Sequence, residues 1–120
     1  MTSSQLKKTI VAFVAIAVLA SGTAFAQTIA SFSDRVNGFD TDVWRVWVPA
    51  GSSRVVVAGG RHTDIDLEVR NEATGQLLAV DDDTTSYCIG DIYMSRPGYI
   101  TIRVDNLGRY TNGYTVTVRN

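Results

Sequence analysis

The sequence predicts an all-β fold, an antiparallel two-sheet β-sandwich of jelly-roll-like type with about seven to eight short strands. Apolar and polar residues alternate with a period of two in several separate stretches. Turn-forming residues interrupt these stretches at intervals of about eight to twelve residues. No stretch of ten residues after residue 26 has the periodicity of a helix.

The N-terminus has the features of a secretory signal peptide. Lys7 and Lys8 precede an uncharged apolar run at residues 9–20, and Ala24-Phe25-Ala26 has the A-x-A form that signal peptidase recognises. The apolar run is shorter than the ~20 residues that a membrane-spanning helix needs. We therefore expect residues 1–26 to be removed, with no membrane insertion afterwards and with the chain exported to the periplasm or secreted.

The remaining chain, residues 27–120, is expected to form a single domain. It contains nine arginines, no lysine and twelve acidic residues, so its formal charge is nine minus twelve, or −3. A mildly acidic surface does not attract nucleic-acid backbones or anionic membranes. The composition therefore excludes nucleic acid as an expected partner.

The first half of the domain contains three clear strand patterns. In the stretch 43–48, Trp44, Val46 and Val48 lie on one face, and Trp47 lies on the other. Two further strands are predicted, at residues 54–58 and 64–70. Residues 27–39 are compatible either with a leading strand at about 29–36 or with a loosely held arm.

The second half begins with a hairpin loop in which Gly75 is able to take a positive φ. The strand at 87–94 is expected to be interrupted near Gly90-Asp91. The other predicted strands lie at residues 76–80, 99–104 and 114–118.

The order of these motifs resembles the bacterial pre-peptidase C-terminal domain, a small sandwich often found after secreted peptidases. The resemblance covers roughly the last 80 residues. The matching stretches are Asp42–Gly51, Thr63–Val69, Gly75–Asp83 and Pro97–Val118. It implies a binding role, since relatives include collagen-binding and carbohydrate-associated modules, some of which bind calcium. In the calcium-binding relatives, acidic residues near the segment that matches T-D-I-D-L here are ligands.

Acidic residues are concentrated at three places that together form a candidate calcium site. Ca²⁺ takes six to eight oxygen ligands, and irregular acidic loops supply them. Asp64 and Asp66 are two residues apart and so about 7 Å apart on one face of a strand. The alternative is that the carboxylates form a solvated face or polar turns, or pair with Arg61, Arg70 and Arg103. The candidate ligands are Asp40, Asp42, Asp64, Asp66, Asp81, Asp82 and Asp83.

Aromatic side chains offer a second candidate binding site. Rings at strand ends and in loops stack on sugars or anchor protein interfaces. The alternative is that a neighbouring loop or the N-terminal arm covers them. The candidates are Trp47, Tyr93, Tyr99 and Tyr110.

Catalytic motifs are absent from the sequence. His62 is the only histidine and Cys88 the only cysteine, and no nucleophile elbow or zinc-protease motif occurs. We therefore predict an exported, non-catalytic module that binds a protein or a glycan, with Ca²⁺ as its candidate cofactor. Two alternatives stay open: a carbohydrate-binding module using surface aromatics, and a small periplasmic inhibitor or immunity-type protein.

Overall fold

A computed structural model describes residues 5–10 and 27–120. These residues form nine β-strands and no helix. The strands are β1 (Gln5–Ile10), β2 (Thr28–Val36), β3 (Thr41–Val48), β4 (Gly51–Gly59), β5 (Ile65–Asn71), β6 (Leu77–Asp81), β7 (Tyr87–Met94), β8 (Gly98–Asn106) and β9 (Asn112–Arg119).

Strands β2 to β9 form two four-stranded antiparallel sheets, which confirms the predicted sandwich. One sheet has the order β3-β8-β5-β6 and the other β2-β9-β4-β7. Strand β1 adds to the first sheet by pairing with β3 in parallel. Sequential neighbours such as β4 and β5 lie in different sheets, so many connections cross from one sheet to the other.

The predicted signal peptide is described only in part. Gln5–Ile10 form β1, and residues 1–4 and 11–26 lie outside the described residues. Cleavage after Ala26 therefore stays a prediction. Among the residues that are described, no helix has the length and apolar character needed to cross a membrane.

The core lies between the sheets and follows the predicted alternation. Trp44, Val46 and Val48 are buried on the inner face of β3, whereas Trp47 on the outer face is 38% exposed. The same rule buries alternate residues of β5, β8 and β9. This agreement arises because successive side chains of a strand point to opposite faces of the sheet.

The structure decides between the two alternatives for residues 27–39 and corrects the prediction for residues 87–94. The N-terminal stretch is a strand, β2, which pairs with β9 along its length. The expected interruption near Gly90 was wrong, because β7 continues through it. A Cβ at Gly90 would lie 3.0 Å from the Cβ of Ala79 and 3.4 Å from Cδ2 of Leu67. Glycine is present there because the sheets approach closely, and it does not break the strand.

A chain of polar groups crosses the core near β3. The indole Nε1–H of Trp44 donates to the hydroxyl of Tyr114 at 2.8 Å, and that hydroxyl donates to Oδ2 of Asp42 at 2.6 Å. All three side chains are buried. Burial and the bond to Asp42 raise the pKa of Tyr114 well above its usual range. Hydrogen bonding thus compensates the polar groups for their loss of water.

Candidate functional site

Four loops meet at one end of the sandwich, which we call the loop end. They are residues 37–40 between β2 and β3, 60–64 between β4 and β5, 82–86 between β6 and β7, and 107–111 between β8 and β9. Backbone hydrogen bonds join them. The amide of Phe39 donates to the carbonyl of Gly108 at 2.8 Å, and the amide of Leu107 donates to the carbonyl of Asp64 at 2.9 Å.

Buried Asn106 ties the first and last of these loops together. Its side-chain amide donates to the carbonyls of Val36 and Asn37, each at 3.2 Å, and of Tyr110 at 2.7 Å. Its Oδ1 accepts from the amide of Gly108 at 3.0 Å. A side chain that satisfies backbone groups on both loops fixes their relative position.

Asn112 performs the same task for the loop at 60–64. Its Oδ1 accepts from the amide of Gly60 at 2.7 Å, and its Nδ2 donates to the carbonyl of Gly60 at 2.9 Å and to Oγ1 of Thr63 at 2.6 Å. Asn112 is fully buried. The loop end is therefore a framework anchored by two buried amides.

This framework carries three exposed apolar side chains, two of which were not predicted from the sequence. Phe39 is 75% exposed, Leu107 is 50% exposed and Tyr110 is 61% exposed. We call these three residues the apolar tip. The signal in the sequence was an apolar residue within a run of turn formers, N-G-F-D and D-N-L-G-R-Y. Of the three, only Tyr110 was a predicted ligand-binding residue.

The acidic residues predicted to bind calcium are partly brought together beside the tip. The pKa of Asp66 is raised to about 6, chiefly because the carboxyl group is partly buried. Nearby negative charges add to this effect, in the order Asp64, Asp105, Asp82 and Asp81. Burial and the charge of Asp83 raise the pKa of Asp64.

Two oxygens of this cluster lack hydrogen-bond donors. Within residues 27–120, the Oδ1 atoms of Asp64 and Asp66 are buried and accept no hydrogen bond. Such atoms are costly to bury unless something compensates them. In the same part of the chain, however, no three His, Cys, Asp or Glu side chains are grouped closely enough to hold a metal ion.

The remaining predicted calcium ligands take other roles. Asp42 points into the core and accepts from Tyr114, so it lies on the opposite side of its sheet from Asp66. Oδ1 of Asp40 accepts from the amide of Thr41 at 2.8 Å. Oδ2 of Asp81 accepts from the amide of Ile89 at 2.9 Å, and Oδ1 of Asp83 accepts from the amide of Thr85 at 2.9 Å.

The four predicted aromatic residues do not form one surface. Trp47 and Tyr99 pack edge to face with ring centroids 5.0 Å apart. The Arg45 guanidinium lies 4.0 Å from the centroid of Tyr99. Tyr93 is on the outer face of the other sheet, in β7, and Tyr110 is at the loop end. Only Trp47 and Tyr99 are therefore neighbours.

The single histidine and single cysteine serve the structure. Nε2 of His62 donates to the carbonyl of Thr111 at 2.9 Å. Cys88 is buried, its thiol donates to the carbonyl of Ile65 at 3.1 Å, and burial raises its pKa to about 12. A thiol with so high a pKa is almost entirely protonated at neutral pH and is a poor nucleophile.

Comparison with solved structures identifies the fold. The pre-peptidase C-terminal domain of a collagenase from Bacillus anthracis superposes with a TM-score of 0.61 over 74% of this chain and 87% of that chain, at 15% sequence identity. The chain has the fold of a pre-peptidase C-terminal domain. The resemblance seen in the sequence is thus confirmed at the level of fold, while no protein-family model and no curated protein matches the chain.

Other similar structures match nearly the whole chain. PliG from Aeromonas hydrophila, a periplasmic inhibitor of g-type lysozyme, has a TM-score of 0.57 and covers 98% of both chains at 15% identity. PliG from Salmonella Typhimurium has a TM-score of 0.52 and covers 99% of this chain and 98% of that chain at 13% identity. These likenesses show a shared fold, and no enzyme family is indicated.

Proposed function

We propose that the protein is an exported, non-catalytic module that binds a protein outside the cytoplasm. The observation that carries this proposal is the apolar tip of Phe39, Leu107 and Tyr110. These side chains lie outside the core, on loops that a backbone hydrogen bond from Phe39 to Gly108 joins. Apolar side chains exposed on one end of a domain are typical of interfaces.

We further propose that the partner is a polysaccharide-cleaving hydrolase and that the module inhibits it. Support comes from the likeness to periplasmic inhibitors of g-type lysozyme, which extends over nearly the full length of both chains. Fold alone does not fix a ligand, so this partner class is an inference that binding measurements must test.

The test uses the full-length chain produced in a Gram-negative host. Mass spectrometry of the periplasmic product is expected to give a chain beginning at Gln27, whereas retention of residues 1–26 would refute export by cleavage.

The product is then added to a g-type lysozyme and to a c-type lysozyme. We expect slower lysis of cell walls by the g-type enzyme and co-elution of the complex in gel filtration. Normal lysis and separate elution with both enzymes would refute lysozyme inhibition.

Glycan binding is a second candidate function, because Trp47, Tyr99 and Arg45 form a partly exposed aromatic surface. Rings of this kind stack on sugar faces. Retention on insoluble polysaccharides is expected to fall for Trp47→Ala and to persist for the control Tyr93→Ala. Equal retention of both variants and the wild type would argue against a sugar site on this surface.

We also propose that calcium stabilises the fold at the acidic cluster around Asp64 and Asp66. A ligand present at a hundredfold excess over Kd adds about 2.7 kcal/mol to stability. For a domain of this size that corresponds to a rise in Tm of roughly 10 °C or more. The rise, measured between calcium and chelator, is expected to disappear in Asp66→Asn and to persist in the control Asp34→Asn. An unchanged wild-type Tm would show that calcium does not stabilise the fold at this cluster.

A further inference from the structure

We infer that a cavity at the end of the sandwich opposite the loop end binds a carboxylate-bearing sugar unit of an acidic polysaccharide. This inference rests on the second candidate function, glycan binding, and adds to it the site of one sugar unit and the charge of that unit. Three features carry it: a cavity beside the surface of Trp47 and Tyr99, side-chain donors that the protein leaves unused, and an arginine without an acidic partner.

The cavity lies where the loop between β5 and β6 meets the connection between β7 and β8. Both connections are far from the loop end, because the chain reverses direction between successive strands of the sandwich. The cavity has a volume of about 420 Å³, and sites for small molecules have volumes of ~300–1,000 Å³. The buried side chain of Met94 and the ring of Tyr99 line it. The site therefore has room for a sugar ring and apolar surface to contact it.

Asn71 supplies a donor that has no strong acceptor in the protein. Its Oδ1 accepts from the amide of Ala73 at 2.9 Å, which fixes the orientation of the side chain. Within residues 27–120, its Nδ2 donates only to the sulfur of Met94, at 3.9 Å. A thioether sulfur is a weak acceptor. The amide of Asn71 is therefore held at the cavity with a donor to offer to a ligand oxygen.

Two hydroxyl groups add to the donors of the cavity. Oγ1 of Thr74 accepts from the amide of Gln76 at 3.2 Å, and within residues 27–120 its own hydrogen has no acceptor. Ser95, in the other connection, makes no side-chain hydrogen bond to that part of the chain. A small number of such polar groups on an apolar wall is typical of sites that orient a ligand.

Tyr99 joins the cavity to the aromatic surface described above. Its ring packs edge to face with that of Trp47, with centroids 5.0 Å apart, and the Arg45 guanidinium lies 4.0 Å from its centroid. The amide of Glu72 donates to the carbonyl of Tyr99 at 3.1 Å and so ties the hairpin loop to β8. The cavity and the aromatic surface are thus adjacent, and two consecutive sugar units could occupy them.

Arg96 gives the cavity its charge. It is exposed and lines the cavity, and no carboxylate within residues 27–120 forms an ion pair with it. The acid of the hairpin loop, Glu72, is engaged by Arg45, whose Nη2 donates to its Oε1 at 2.8 Å. In the part of the chain that the structure describes, no acidic side chain lines the cavity. A guanidinium in this position is suited to bind a carboxylate through paired hydrogen bonds.

The acidic residues of the domain do not cancel this positive charge. The cluster around Asp64 and Asp66 lies beside the loop end, and the nine residues of β8 separate the two ends. At ~3.3 Å per residue that strand spans roughly 30 Å, whereas charges are screened over ~8 Å at physiological salt. An anionic ligand in the cavity therefore interacts with Arg96 far more strongly than with the distant carboxylates.

An acidic sugar matches all of these features together. Its carboxylate would pair with Arg96, its hydroxyls would accept from the amide and hydroxyl donors, and its apolar ring face would pack against Met94. The next sugar unit would stack on Trp47. A neutral sugar would leave Arg96 without a partner, and an acidic peptide would leave the aromatic rings without one.

The experiment measures the affinity of the periplasmic product for three soluble polymers in calcium-free buffer. Polygalacturonate carries a carboxylate on every sugar ring. Its fully methyl-esterified form keeps the rings without the charge, and polyglutamate keeps the charge without the rings. We expect polygalacturonate to bind at least about tenfold more tightly than either of the other two polymers.

Arg96→Gln removes the charge of the cavity. Its matched control is Arg109→Gln, which removes the same charge from an exposed arginine at the loop end. We expect Arg96→Gln to weaken binding to polygalacturonate by about tenfold and to leave binding to the methyl ester unchanged. The control should bind each polymer as the wild type does. Both variants alter exposed side chains, so their Tm values should equal that of the wild type.

Gly98→Val tests the cavity without changing any charge. A Cβ at Gly98 would lie 3.5 Å from Cε of Met94, so a larger side chain there would extend along the cavity wall. We expect this variant also to bind polygalacturonate about tenfold more weakly, with Arg96 still in place. If it unfolds, Arg96→Gln decides the question by itself.

Three results would overturn the inference: wild-type affinity for polygalacturonate in Arg96→Gln, equal binding of polygalacturonate and its methyl ester, and equally tight binding of polyglutamate. After any of these, retention on insoluble polysaccharides that depends on Trp47 would leave the glycan-binding function intact. If the wild type binds neither polygalacturonate, nor its ester, nor insoluble polysaccharides, glycan binding itself fails and the inference fails with it.

Discussion

Replacement of Tyr114 by phenylalanine tests the polar chain in the core. The variant keeps the ring but removes the hydroxyl that donates to Asp42 at 2.6 Å and accepts from Trp44 at 2.8 Å. A hydrogen bond to a charged group is worth ~1.5–3 kcal/mol, and weakening the second bond adds roughly 1 kcal/mol. We therefore expect the free energy of unfolding to fall by about 2–4 kcal/mol.

This loss should be measurable by urea unfolding followed by tryptophan fluorescence and circular dichroism. At about 4–8 °C per kcal/mol for a small domain, the Tm should fall by roughly 8–32 °C. The control Tyr93→Phe removes a hydroxyl from a residue that is 66% exposed and should change the stability by less than about 0.5 kcal/mol. If Tyr114→Phe changes stability as little as the control does, the polar chain contributes nothing and the reasoning fails.

Three further predictions concern single residues. The folded state raises the pKa of Asp66 to about 6, so it binds that proton more tightly than the unfolded chain does. A rise of about two pKa units corresponds to ~3 kcal/mol, and screening by solvent around this partly exposed group lowers the expected effect to roughly 1–2 kcal/mol. In calcium-free buffer the unfolding free energy should therefore fall by that amount between about pH 4 and pH 7, and Asp66→Asn should flatten this dependence; a flat wild-type profile would contradict it. Cys88 should react with a thiol reagent only after unfolding, because it is buried and its pKa is raised to about 12; rapid labelling of the native protein would show otherwise. Gly90→Val should lower stability by about 1–3 kcal/mol in urea unfolding, because a Cβ there already meets Ala79 at 3.0 Å, and an unchanged midpoint would show that the sheets can separate locally.

The effect of calcium on stability and the effect of pH on stability both depend on the acidic cluster around Asp66. Calcium bound beside Asp66 would favour the ionised carboxylate and so would lower its pKa. The loss of stability between about pH 4 and pH 7 should then shrink when calcium is added. A pH profile that is the same in calcium and in chelator would show that no cation is bound near Asp66.

The alternating pattern of the sequence determined the strands and their buried faces. Trp44, Val46 and Val48 had to lie on one side of β3 and Trp47 on the other, because a strand has a period of two. Gly75 likewise takes the positive φ, +77°, that the hairpin loop required. These features depend only on residues close together in the chain.

The tertiary structure alone decided which distant residues meet. Asp42 was a reasonable metal ligand by composition, yet pairing of β3 in the sandwich points it toward Tyr114, 72 residues later. Gly90 suggested a break in its strand, but the structure shows that a glycine is needed there because the other sheet approaches closely.

The apolar tip likewise needed the tertiary structure, because it combines loops that lie 68 residues apart at Phe39 and Leu107. The physical reason is that alternation specifies which face of a strand is apolar, whereas sheet order and loop contacts arise from pairings between distant segments. Local sequence patterns do not encode those pairings.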